Sequence, residues 1–344
     1  MKPLPIITDP IYKKRGYNSF EKFWISRIRD ERDLPFIILT IQITFIMTPL
    51  GILLYLPFIQ GWMWWLIAGL YFYVNNFVFK GPFGLMLHCT SHRPLFKKEY
   101  KWANYYLPWV IGPFFGQTPE TYASHHLGMH HRENNLESDL SSTMNYQRDS
   151  LSDWIKYFLK FFFFGVYTTA RYFHRKNQLK LRNRIIRGEI FFVLWCIGMS
   201  FVNWQATVWV FVVPFILSRI IMMLGNWAQH SFLDKQEPGN LYTNSITCIN
   251  TKYNHKCWND GYHISHHLKP GLHWTMHPDH LLSNIDEYAK NKALVFEGVD
   301  FLYIWFNLMR RNYEKLEYHL VNISGMFSSQ DEAISLMKSR TAKV

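Results

Sequence analysis

The sequence predicts an all-α integral membrane protein, with four transmembrane helices and a cytosolic helical cap that carries clustered histidines. Three observations predict it. Charge is absent from two long stretches, Leu34 to Phe79 and Ile190 to Ser218, although 18% of the 344 residues are charged. Lys and Arg gather immediately before each stretch and are missing from the short connections inside them. The histidine groups follow the stretches on the side where the basic residues lie.

A bilayer crossing takes about 20 apolar residues at 1.5 Å rise each, so an uncharged run from 34 to 79 is long enough for two crossings. Pro57–Gly61 divides it into helices of about 35–58 and 62–87. Trp62, Trp64 and Trp65 stand where an interfacial aromatic belt anchors the outer turn. Pro82 is expected to kink the second helix near its cytoplasmic end. The later run divides near Asn203-Trp204 into helices of about 189–202 and 205–224, with Arg219 expected to snorkel to the headgroups. Between the pairs lies a cytosolic loop, 88–188. Its apolar stretches Tyr105–Phe115 and Phe158–Ala170 are too short to span and read as interfacial or re-entrant. Residues 1–34 form a basic cytosolic leader with a short amphipathic helix near Phe20–Ile28, and 286–344 form a cytosolic C-terminal segment.

The net charge of +12 follows this topology. Lys13, Lys14, Arg15, Lys22, Arg27, Arg29 and Arg32 precede the first run, and Arg171 to Arg187 carry a basic series before the second. The positive-inside rule then puts the N-terminus, the middle loop and the C-terminal region in the cytoplasm. Part of this charge can hold the cytosolic mass against anionic lipid. No DNA- or RNA-binding motif accompanies it, so nucleic acid is not an expected partner. Cys89, Cys196, Cys248 and Cys257 show neither a CxxC spacing nor a disulfide framework and read as reduced thiols. The N-terminus lacks the apolar core of a cleavable signal, so insertion is expected to use the first transmembrane segment.

Nine of the sixteen histidines fall in four groups: His88/His92 (HxxxH), His126/His130/His131 (HxxxHH), His263/His266/His267 (HxxHH) and Asn226/His230 (NxxxH). Residues three or four apart share a helix face, with Cβ atoms about 5–6 Å apart, so two imidazoles can reach one ion or two neighbouring ions. An adjacent third histidine points elsewhere and can serve the second ion. Neutral imidazole suits iron, zinc, copper and nickel. A lone HxxxH arises by chance roughly once in a chain of this histidine content, whereas HxxHH or HxxxHH is expected only about 0.03 times each. His125 competes with His126, and His126 is preferred because it completes the HxxxHH spacing. His273, His277 and His280 read as headgroup-facing, supporting or surface residues, and His174, His255 and His319 as structural. Glu133, Glu137, Asp139 and Asp260 are candidate acceptors for the outer ring nitrogens of metal-bound histidines.

Three boxes in this order around two pairs of membrane helices resemble the membrane fatty acid desaturase superfamily over roughly residues 35–285. The segment Trp258-Asn259-Asp260-Gly261-Tyr262 before the third box also looks like that family. The resemblance implies that His88, His92, His126, His130, His131, His230, His263, His266 and His267 hold two ferrous ions. Asn226 would hold a water that completes one coordination sphere, and Asp260 would support the third box. The implied activity is that of an oxidoreductase, using dioxygen to introduce a double bond into a fatty acyl chain. Its substrate would be an acyl lipid or acyl thioester. No HPGG-type haem motif is present, so electrons would come from a separate ferredoxin or small haem protein with its reductase. The first box is HxxxH, which looks more like acyl-lipid enzymes than the HxxxxH of acyl-CoA desaturases. The third begins with His263 where front-end desaturases have Gln. Hydroxylation of a lipid, alkane or carotenoid is the alternative within the superfamily. A non-catalytic metal-binding membrane protein is a further alternative. A transporter would place ionisable ligands inside its spans, yet Leu34–Phe79 contains neither charge nor histidine.

Overall fold

The computed structural model describes all 344 residues. Helices dominate, and the only sheet is a parallel pair, Thr247–Ile249 with Val295–Glu297. Contacts divide the chain into two compact units. One comprises Lys13–His126 and Val166–Ile220; the other comprises Met1–Tyr12, Leu127–Gly165 and Ile221–Val344.

The first of these is a helical unit with an apolar exterior. Its amphipathic helix Ser19–Ile25 begins at a capping box, in which Asn18 and Glu21 each bond the other's backbone N–H. Two helical runs are long and apolar enough to cross a membrane: Glu31–Leu53, and the 51-residue Leu179–Gln229, whose last turns belong to the other unit. The second run is interrupted at Asn203, which is extended at φ −158, ψ 104, at the predicted division. It starts earlier than expected, at Leu179, because Lys180, Arg182, Arg184 and Arg187 are good helix formers whose charge decides where a membrane could begin, not where the helix begins. Helical turns also run without interruption from Gly61 to His92. That run is not among the two most apolar ones, since Tyr71, Tyr73, Asn75, Asn76 and Lys80 dilute it.

Prolines shape these helices. Wide, i→i+5 bonded turns at Ile43–Met47, Val74–Phe79 and Val208–Val212 each precede a proline, Pro49, Pro82 and Pro214 respectively. Proline has no N–H to offer the carbonyl four residues back, and the helix widens to adjust. For Pro214 the freed carbonyl is that of Val210, and the buried Tyr71 hydroxyl bonds it at 3.0 Å. The same logic governs the irregular segment 107–116. Tyr71 and the Asn75 amide donate to the Phe114 carbonyl, while Lys80 and Ser218 donate to that of Phe115. Buried irregular backbone is tolerated only where its polar groups find such partners. Gly116 ends the segment at φ +71, pressed against the backbone of Pro214–Phe215 where no side chain fits. Arg219 does not snorkel. It is buried and pairs with Glu189 at 3.2 Å, which also accepts from Thr118. Large apolar side chains such as Phe45, Trp62, Leu66, Phe77 and Phe201 face outward. Exposed apolar surface on that scale marks a membrane or protein contact.

The other unit is built around the strand pair. Ile246, Cys248, Phe296, Ile304, Leu308 and Leu316 form one buried cluster, and Tyr262, Ile264, Val295, Val321 and Tyr288 another. Residues 1–12 are integral to it. Lys2 bonds the backbone of Leu320 and Asn322, and the Asp9 carboxylate accepts from Asn250 N–H and from the Tyr262 hydroxyl, both at 2.7 Å. Arg148 is wholly buried. Its guanidinium donates to the carbonyls of Thr143, Met144, Tyr146, Ser231, Arg340 and Ala342. Phe158–Ala170 lies within the long amphipathic helix Leu151–Arg175. Leu151, Ile155, Leu159, Phe163 and Tyr167, spaced four apart, form its exposed apolar stripe, the form of an interfacial helix.

Candidate metal centre

Four of the predicted ligands converge inside the strand-containing unit. One ring nitrogen each from His130, His230, His263 and His267 lies within 4.8 Å of the others, and all four residues are buried. His263 and His267 share a face of the helix His263–Leu268, with their Nε2 atoms 3.0 Å apart, and His263 Nε2 is 3.2 Å from His230 Nε2. Nitrogens each about 2.1 Å from one ion, at angles between square and tetrahedral, stand about 3.0–3.4 Å apart. Both of these separations fall in that range. The adjacent imidazole His266 turns away, as the box spacing requires, and its Nε2 lies 2.8 Å from that of His131.

The outer nitrogens explain the orientation. His130 Nδ1 is 2.7 Å from the Asp139 carboxylate, His230 Nδ1 is 2.6 Å from the Asn244 carbonyl, and His267 Nδ1 is 3.2 Å from Asn134 Oδ1. Each partner accepts, which puts the proton on Nδ1 and leaves Nε2 with its lone pair directed inward. Burial, followed by the neighbouring His130, holds His230 down to about 3, and burial keeps His267 well below the usual histidine range. These rings are therefore neutral donors at physiological pH, the protonation state a metal requires.

Asp139 is fixed in turn. One carboxylate oxygen accepts from His130 and Asn135 N–H, the other from Ser141 N–H and hydroxyl. Asn134 and Asn135, both left-handed at φ 47 and 59, end the short helix after the second box. Asparagine tolerates that conformation better than other side chains. Their amides tie the turn to Asn244 and Thr143. Sequence reasoning passed over this pair, although Asn-Asn directly after a helical HHRE is a recognisable stop signal. Thr143 also donates to the His230 carbonyl at 2.7 Å. Gly261 precedes the third box where any Cβ would strike Asn254 Oδ1 and the Cys248 carbonyl.

Asn226 donates its amide to the Ser141 carbonyl (2.9 Å) and the Tyr157 hydroxyl (2.7 Å). Asp260 accepts from Tyr253 (2.7 Å) and Gln229 (3.2 Å), with Tyr253 raised by burial and then by Asp260 itself. His277 and His280 both contact the Ser265 hydroxyl, within the third box, and His273 caps the turn at Thr275. His174 meets Arg182, and His319 meets the Glu297 carbonyl.

The helical unit holds the other three. Its His88, His92 and His126 bring ring nitrogens within 4.8 Å of one another, with His92 Nε2 3.1 Å from His126 Nε2. His126, not His125, is the member of that group, and Tyr122 stacks on its ring. The nine rings thus form sets of four, three and two, each of imidazole nitrogens of the kind that suits a first-row transition metal.

Histidine sets of this kind, in a helical chain, are groups that could hold metal ions. The chain matches the fatty acid desaturase family over residues 63–297, more than half its length, and belongs to that family. Neither a curated protein nor a solved structure matches it.

Proposed function

We propose that the protein is a membrane-bound non-haem di-iron oxygenase that introduces a double bond into a fatty acyl chain. It would use dioxygen and two electrons from a separate ferredoxin or small haem protein with its reductase. The observation that carries this reading is the buried four-imidazole pocket, with its inward lone pairs and outer acceptors. In this reading the nine histidines of the boxes and His230 hold two irons, and the four of this pocket hold one of them. Four transmembrane helices, about 35–58, 62–87, 189–202 and 205–224, keep the boxes and both termini in the cytoplasm. An acyl lipid or acyl thioester then reaches the site from the bilayer.

When bound, the two irons supply oxygen activation strong enough to take hydrogen from an unactivated methylene. The chain's own residues set the conditions. Asp139, the Asn244 carbonyl and Asn134 hold three ring protons on Nδ1, so those imidazoles neither rotate nor change tautomer. Burial of the four rings excludes bulk water. Asn226, whose amide N–H groups are held by Ser141 and Tyr157, would use its remaining oxygen to hold a water that completes one coordination sphere. Loss of two hydrogens from neighbouring carbons, together with two electrons and two protons, reduces dioxygen to two waters. Expression in a host followed by fatty-acid chromatography tests this: a new unsaturated species is expected, and none would refute it. A product that gains oxygen in mass spectrometry would instead assign hydroxylation.

A further inference from the structure

Apart from the histidine sets, the helical unit carries an open surface trough of about 440 Å³. That falls in the range of about 300–1,000 Å³ typical of small-ligand sites. None of the nine histidines lines it. Its walls are Trp24 of the amphipathic helix, Ile41 and Phe45 of the first long helix, and Trp102, Tyr106 and Leu107 of the loop beyond the first box. Two threonines face it, but their hydroxyls are spent locally. Thr40 donates to the Phe36 carbonyl and Thr44 to that of Thr40, both at 2.7 Å. The interior therefore presents carbon and selects a hydrocarbon chain. The wide turns Ile43–Met47 and Leu107–Ile111 begin within this lining, opening the helices where the trough needs room.

Arg27 is the one charged side chain of the lining, with its guanidinium 3.5 Å above the Phe23 ring. Beside it Arg29 is held by the Phe96 main-chain carbonyl at 3.0 Å, and Lys97 by that of Ser26 at 2.8 Å. None of the three has an acidic partner, whereas Glu21 and Asp30 are taken by Arg15, Arg32 and Arg93. Trp102 and Phe23 stand exposed beside them, an arrangement suited to the water–lipid boundary. We propose that this trough is a binding site for an anionic glycerophospholipid of the bilayer, one acyl chain between Trp24 and Tyr106 and the phosphate among Arg27, Arg29 and Lys97. The inference rests on the membrane reading above but not on the oxygenase chemistry.

The test uses the full chain, purified in mild detergent from membranes containing phosphatidylglycerol and phosphatidylcholine, with bound lipid counted by mass spectrometry. Phosphatidylglycerol at about one per chain is expected to survive washing. Ala103→Trp and Ile41→Phe, filling the trough from opposite walls, should both lose it while keeping wild-type metal content. Arg27→Gln with Lys97→Gln should retain a lipid but no longer prefer phosphatidylglycerol. Equal retention in both filled variants, or a wild-type lipid ratio equal to that of the membrane, would overturn the proposal. A retained chain that becomes desaturated on turnover would also overturn it, by making the trough a substrate pocket. Retention is read without turnover, so an inactive protein that keeps its lipid separates failure of the oxygenase reading from failure of this one.

Discussion

Replacing Asp139 with asparagine tests whether an outer carboxylate tunes the pocket. Asp139 accepts four hydrogen bonds, two on each oxygen: His130 and Asn135 on one, Ser141 twice on the other. An amide has one acceptor oxygen and one donor nitrogen. Whichever way the substituted amide turned, one pair of donors would face an NH₂. Two bonds to a charged acceptor are lost, at about 1.5–3 kcal/mol each before relaxation, so a stability loss of about 3 kcal/mol is expected. His130 also loses the acceptor that fixes its ring orientation and tautomer, which should weaken metal affinity about 10–100-fold. The assay is iron binding in competition with a chelator, alongside thermal melts of the iron-free protein. Ser141→Ala is the control, because it removes one bond to Asp139 and leaves His130 its partner; its affinity should change less than about tenfold. If D139N binds iron as tightly as wild type while melting lower, the carboxylate is only a structural clasp and the reasoning fails.

His126→Ala should remove a large share of bound iron, whereas His125→Ala should keep it; metal analysis of both proteins decides, and the reverse order would move the ligand by one residue. Gly261→Ala forces a methyl into Asn254 and the Cys248 carbonyl directly before the third box, so iron content should fall although no ligand is changed; wild-type loading would show that the loop yields. The iron-free protein should lose stability as pH drops from about 6.5 towards 3. His230 and His267 stay neutral in the fold, while the same residues in the unfolded chain take up protons near pH 6.5, so the unfolded state binds more protons across that window. A melting temperature unchanged between pH 7 and 5 would argue against it.

Much of this architecture can be read from the amino acids, for identifiable reasons. The histidine spacing within each box reports helix-face geometry directly, and the preference of His126 over His125 follows from it. The break at Asn203 was legible because a polar residue interrupts an apolar run. Other features depend on partners distant in sequence. Arg219 looked like a snorkelling cation because nothing local announces Glu189 as its partner. Asp139 was one of three candidate carboxylates after the second box, and only the Asn134-Asn135 turn, in which Asn135 N–H bonds Asp139, singles it out over Glu133 and Glu137. The lock formed by Arg148 is invisible in sequence, since all six of its acceptors are main-chain carbonyls, which carry no residue signature.

That lock also orders events during synthesis. Arg148 joins the turn after the second box to Ser231, one residue beyond His230, and to Ala342, which is 194 positions away. Bringing such distant segments together is slow relative to forming local helices. While the ribosome is still extending the chain, the early helices can seat in the bilayer, but the guanidinium lacks its last acceptors. Three of its six acceptors, in Ser231, Arg340 and Ala342, lie at least 83 positions away. The turn that carries Thr143 is therefore tied down on every side only once those late segments are in place.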